Sequence, residues 1–112
     1  MKIPNYKNAI IDENKIKEYI LSDTHPVGRF KATYFHKLGY SNENWKDFEK
    51  DLRNQHLISD YSDYEEIEFG IKYKISKELK GPNGISDKIT SIWIILKDES
   101  IPRFITAFPG GK

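Results

Sequence analysis

The residues best able to do chemistry stand together in the run His25-Pro26-Val27-Gly28-Arg29-Phe30-Lys31. The run puts an imidazole at the start of an expected helix, with two cations inside the first turn and a half. Free backbone N–H groups and the positive end of the helix dipole already favour an anion there. Cations in that turn oppose the dipole by roughly a few tenths of a kcal/mol, so their position asks for a reason. A phosphate bound at the helix start supplies one. Against this stands a plainer reading, in which His25 caps a helix or sits in a loop and Arg29 and Lys31 pair with surface carboxylates. Gly28, inside the helix, costs about 0.5–1 kcal/mol relative to alanine and leaves room for another element or a ligand.

Thr106 and Arg103 are the next candidates. Strict alternation sets Thr106 out of phase with Arg103, Ile105 and Ala107 and on one face with Phe104 and Phe108. A hydroxyl there is either buried and hydrogen-bonded or lines a site, although threonine is also simply a good strand former. Thr90 carries the same ambiguity. Trp93 and Tyr34 could stack on bases, and both residue types are more often core. His36 and His56 read as helix-surface residues. With no histidine pair at i, i+4 and no acidic-histidine cluster at ligand spacing, neither a metal site nor any other cofactor is expected. Glu65, Glu66 and Glu68 read as a solvated acidic patch. Gly81-Pro82-Asn83-Gly84 lies between strands and opens no helix, so it is a turn and no phosphate loop.

The elements that must position these groups follow from hydrophobic period. Asp12 can cap a helix over about 13–22, with Ile16, Tyr19 and Ile20 on one face. Pro26 suits the first residue of a second helix, whose apolar stripe is Val27, Phe30, Tyr34, Phe35 and Leu38 and whose C′ residue is Gly39. Ser41 or Asn42 caps a third helix over about 43–57, with Trp45, Phe48 and Leu52 inward and Lys46, Lys50 and Arg53 forming a basic face. The acidic, tyrosine-rich stretch 60–66 reads as a loop. From residue 67 the period changes to two: one strand over 67–76, a second over 87–96 and a third over 103–108, with a short extra strand near 8–11. The expectation is one α+β domain spanning 1–112. Its helical half covers about 12–58 and packs on a three- to four-stranded antiparallel meander over about 64–109.

Composition bounds the function further. The chain has 112 residues, a formal net charge of +1 and 13% aromatic residues, which excludes a disordered chain. Bulk charge gives no support to general nucleic-acid binding, so any cationic site must be local. The absence of cysteine excludes a disulfide framework and fits a reducing cytoplasm, and equally a toxin delivered unfolded. No apolar run approaches the ~20 residues of a membrane helix. The opening Met1-Lys2-Ile3-Pro4-Asn5 lacks the apolar region of a secretory signal.

Taken together, these blocks resemble a bacterial small-domain family. The resemblance rests on His25-Pro26-Val27-Gly28-Arg29, Lys31-Ala32, Phe35 and Leu38-Gly39 at the front. At the end it rests on Gly81-Pro82-Asn83-Gly84, Trp93-Ile94, Pro102-Arg103, Thr106-Ala107 and Pro109-Gly110, and it is least specific between about 42 and 80. Members occur free-standing or as C-terminal domains of polymorphic toxins, and their element order resembles the barnase–EndoU–colicin–RelE ribonucleases. The resemblance implies a metal-independent endoribonuclease toxin acting in the cytoplasm on RNA. It implies His25 as acid or base, Arg29 and Lys31 on the phosphate, Thr106 bonding a phosphate oxygen and Arg103 as a second cation. A helix sets Arg29 and Lys31 about 200° apart, so both need not face the site. The implied partner is a small acidic antitoxin or immunity protein. Two rivals remain: a non-enzymatic protein-binding module, and a nucleic-acid-binding regulator using Arg29, Lys31 and the Lys46/Lys50/Arg53 face.

Overall fold

The computed structural model describes residues 1–17 and 28–110, with side chains described at 1–17 and 32–110. Four strands, β1 (Asp63–Ile67), β2 (Gly70–Lys80), β3 (Ser86–Leu96) and β4 (Arg103–Pro109), form one antiparallel sheet in the order β1-β2-β3-β4. The acidic stretch expected as a loop is thus a strand from Asp63 onward. Glu65 stands opposite Lys72 and Asp63 opposite Lys74, and opposite charges across a strand pair offset the poor strand preference of carboxylates. Ile67 pairs with Gly70, so the chain turns at Glu68-Phe69 inside the run expected as one strand. That two-residue turn reverses the phase. Ile67 shares a face with Gly70, while Ile71, Tyr73 and Ile75 take the other.

The core lies on one face of the sheet. Tyr73, Ile75, Ile89, Trp93, Phe104 and Ala107 pack there against Ile16, Phe35, Leu38, Phe48, Leu52 and Leu57 from the helical half. A β-bulge makes this possible in β4. Thr106 pairs with Ile92 but Phe104 pairs with Trp93, which leaves Ile105 as the extra residue. Phe104 and Ala107 therefore both reach the core, against strict alternation, and Thr106 turns to the opposite face.

The helices mostly start where capping chemistry predicts. The Asp12 carboxylate accepts from Asn14 N at 2.9 Å and opens α1 (Glu13–Lys15); the expected continuation to residue 22 lies partly outside the described residues. The described part of α2 is Gly28–His36, and Pro26 as its first residue also lies outside. Gly39 ends that helix at φ +99°, the left-handed conformation of a C′ residue. Ser41 and Asn44 form a capping box over a 3₁₀ turn (Asn42–Asn44) that leads into α3 (Trp45–Asp51) and then a π turn (Leu52–His56).

Two further contacts tie the halves together. The Gly81–Gly84 turn docks on the end of α2, where Asn83 Nδ2 donates to Lys37 O at 2.7 Å and Asn83 N donates to Leu38 O at 3.4 Å. These donors satisfy carbonyls that a helix end otherwise leaves open. The extra strand expected near 8–11 is a single parallel bridge between Ile10 and Arg103. Among the described residues no helix is long and apolar enough to cross a membrane.

Candidate functional site

With the described helices packed on one face, no described helix covers the opposite face of the sheet. It holds a cleft of about 640 Å³ whose described lining comes entirely from the four strands. Register arranges this face in rows across the sheet. One row reads Asp63, Lys74, Ile92, Thr106; the next reads Glu65, Lys72, Ile94, Arg103; a third brings Ser76, Thr90 and Phe108 together. The face thus carries a carboxylate strip on β1, a lysine strip on β2, an apolar strip on β3 and a hydroxyl beside a guanidinium on β4. Thr106 is half-buried in the cleft. Lys72 and Lys74 were not foreseen as site residues. Their signal is the Lys-x-Lys alternation on the polar side of β2, legible only once the strand's phase is known.

The other expected site residues have different fates. His25 lies outside the described residues. Arg29 and Lys31 fall on α2, which contacts β4, the strand of Thr106. Arg103 is held in a bidentate pair with Glu99, at 2.8 and 3.0 Å. That pair raises the Arg103 pKa and lowers that of Glu99. Thr90 shares this face but is buried, bonded to Gly110 O at 2.7 Å and Ser76 Oγ at 2.8 Å, so it cannot contact a substrate. Trp93 is fully buried, edge-on to Phe104 with ring centroids 5.2 Å apart. The expectation that it stacks on a base is corrected, because the core face of β3 carries it. Tyr34 donates a short hydrogen bond to Asp87 and packs edge-on against Phe35. Burial first, then that bond, pushes its phenol up to about 12. Its hydroxyl ties α2 to β3, and its ring is not an open platform.

His56 is the residue that sequence reasoning placed wrongly. It is fully buried. An α-helix turns each i+4 step about 40° further round, whereas the wider π turn holds Leu52, His56 and Leu57 together over the core. Nε2 lies 3.2 Å from Lys77 O, so it must carry the proton, and Nδ1 then accepts from Ser91 Oγ at 2.8 Å. Trp93 Nε1 in turn donates to Ser91 Oγ at 2.9 Å. A histidine and a serine in hydrogen-bond contact suggest nucleophilic chemistry, but both are sealed from solvent and serve structure. Desolvation lowers the His56 pKa to about 4. The expected basic face of the third helix is partly neutralised as well. Arg53 pairs with Glu49 at 3.1 Å and donates to Ala9 O at 2.9 Å. His36 is exposed, as expected. Among the described residues no group of three or more His, Asp or Glu is placed to hold a metal ion.

The family described as "Domain of unknown function (DUF6883)" matches residues 2–111. The chain belongs to that family. No curated protein matches this DUF6883 chain. Among solved structures it resembles a chain of the "Contact-dependent growth inhibition toxin - immunity protein complex from Klebsiella pneumoniae 342", with a TM-score of 0.62 and 18% identity. The likeness covers 96% of the DUF6883 chain and 98% of the other, and it is a likeness of fold.

Proposed function

We propose that this protein is a toxin of the toxin–immunity type that cleaves RNA without a metal. The observation that carries the reading is the sheet face that no described helix covers, where Thr106, Lys72 and Lys74 line one cleft. The fold shared with a chain of a contact-dependent growth inhibition toxin–immunity complex supports the toxin role.

In this reading a general base takes the 2′-hydroxyl proton and the 2′-oxygen attacks the adjacent phosphorus. The 5′-oxygen leaves and is protonated by a general acid, giving a 2′,3′-cyclic phosphate. His25 is the acid or base, since its ordinary pKa lies near neutrality. Arg29 and Lys31 stabilise the charge that develops on phosphate, with Thr106 donating to a phosphate oxygen. Arg29 and Lys31 lie on α2, which contacts β4, the strand that carries Thr106. Arg103 joins only by loosening its hold on Glu99. The protein acts in the cytoplasm, where RNA is. A small acidic immunity protein that covers the cations neutralises it in the producing cell.

The purified chain is expected to cut bulk RNA in the presence of excess chelator, leaving cyclic-phosphate ends. His25→Ala is expected to slow cutting 100-fold or more, the usual scale of general acid–base catalysis being about 10²–10⁴. Intact RNA with the wild-type chain would sink the reading.

A second reading, a non-enzymatic protein-binding module, has its own observation. The edge strand β1 is exposed along its length, and Tyr64 and Phe69 beside it are 56% and 65% exposed. An open edge accepts a partner strand. This reading expects binding to a second protein with RNA untouched.

A further inference from the structure

We infer that the cleft on the sheet face is the subsite for an unpaired RNA strand. Lys72 and Lys74 hold its backbone, and Phe108 receives a base. The inference rests on the ribonuclease reading for its choice of RNA, and it concerns residues that the 25–31 segment does not supply.

Three observations converge. Lys72 and Lys74 are neighbours on one face of β2, roughly 7 Å apart along the strand, and both are half-buried in the cleft. Among the described residues the Lys72 side chain has no ion pair or hydrogen bond, although Glu65 stands directly opposite it in register. A half-buried lysine side chain without a described partner can take an anion from outside. Next to the lysines runs the apolar strip, with Ile92 in the row of Lys74 and Phe108 one row on. A nucleotide matches this pairing, since it joins a charged phosphate to a flat base that stacks on aromatic and apolar surface. The third observation is the carboxylate strip of Asp63 and Glu65, which closes the β1 side of the cleft. It repels phosphate, so one strand is steered over β2, β3 and β4. A duplex would bring its second phosphate strand toward those carboxylates and keep its bases stacked out of reach.

The test measures binding apart from cleavage, by fluorescence anisotropy with a 2′-O-methyl RNA that cannot undergo 2′-hydroxyl attack. The single strand is expected to bind at least tenfold tighter than the same sequence as a duplex. Lys72→Ala and Lys74→Ala are each expected to lower the slope of log affinity against log salt by about 0.7, one phosphate contact on a single strand. Phe108→Ala is expected to weaken binding roughly tenfold or more while leaving that slope unchanged. Glu65→Gln is expected to tighten binding, a gain that a misfolded variant cannot produce. Equal affinity for duplex and single strand, or an unchanged salt slope in both lysine variants, would overturn the inference. The two readings fail separately. Binding as described without cleavage of ordinary RNA defeats the ribonuclease and leaves the subsite. Cleavage of ordinary RNA that is indifferent to Lys72→Ala with Lys74→Ala defeats the subsite and leaves the ribonuclease.

Discussion

Replacing His56 with alanine is expected to destabilise the fold by about 3–5 kcal/mol, as a buried cavity and lost hydrogen bonds together require. The imidazole fills the space beneath the π turn, accepts from Ser91 Oγ and donates to Lys77 O. Without it, the Ser91 hydroxyl loses its acceptor and a sheet carbonyl loses a donor inside the core. The same residue should write a signature into the pH dependence. Its folded pKa is about 4 against an ordinary 6.5, because burial disfavours the charged ring. Above pH 6.5 both states hold it neutral, and its contribution to stability is complete. As pH falls from 6.5 toward 4 the unfolded chain binds a proton that the folded chain refuses, so stability declines by about 3 kcal/mol. Below that the folded form is protonated too and this decline ends. Asp87 and Glu99, whose folded pKa values are lowered by Tyr34 and Arg103, add losses at more acid pH. Urea unfolding at intervals from pH 7.5 to 4.5 reads the effect directly. In His56→Gln the decline between 6.5 and 4 should vanish. A wild-type midpoint that is flat across that window would contradict the buried neutral histidine.

The second large effect falls at Gly81. A Cβ built there would stand 1.9 Å from Leu38 O, a backbone atom at the end of α2 that cannot rotate away. Gly81→Ala must push the turn off the helix, losing the Asn83 bonds to Lys37 O and Leu38 O and opening the core beside Leu38. Overpacking and lost caps together predict about 3 kcal/mol, a drop in Tm of roughly 10 °C for a chain of this size. Gly84, in the same turn, is the control. Its φ of +87° disfavours a side chain, but nothing lies within 4 Å of its Cβ position. Gly84→Ala should therefore lose only about 1 kcal/mol from the left-handed backbone. Equal shifts in the two variants, read by thermal unfolding, would mean that the turn does not dock as described.

The contrast between these glycines marks how much the sequence discloses. Pro82 and Asn83 announced a turn between strands, and the β-branched run from 87 to 96 announced β3. What the turn touches depends on a contact about 40 residues distant in sequence, which no local pattern carries. The α+β order, the Asp12 cap and the Gly39 helix end were legible because each is local chemistry. β1 was hidden because its carboxylates are poor strand formers until Lys72 and Lys74 stand opposite them. The Glu68-Phe69 turn was hidden because alternation continues through it, and Gly70 was its one cue. The bulge at Ile105 set Phe104 in the core and Thr106 on the opposite face, so Thr106 was found but the lysines across the sheet from it were not. His56 was misjudged because an α-helical period was assumed where the chain makes a π turn. Trp93 followed its residue type into the core. The chemical identity of the 25–31 segment was the clearest feature of the sequence, and it awaits a functional rather than a geometric test.

That test is induced expression of the chain in a bacterial host, with total RNA resolved in parallel, beside His25→Ala and Thr106→Val. The account predicts growth arrest and fragmented RNA from the wild type. It predicts near-normal growth and intact RNA from His25→Ala, with Thr106→Val between the two. Normal growth with intact RNA from a folded, expressed wild-type chain would contradict the central claim and leave the binding module in its place.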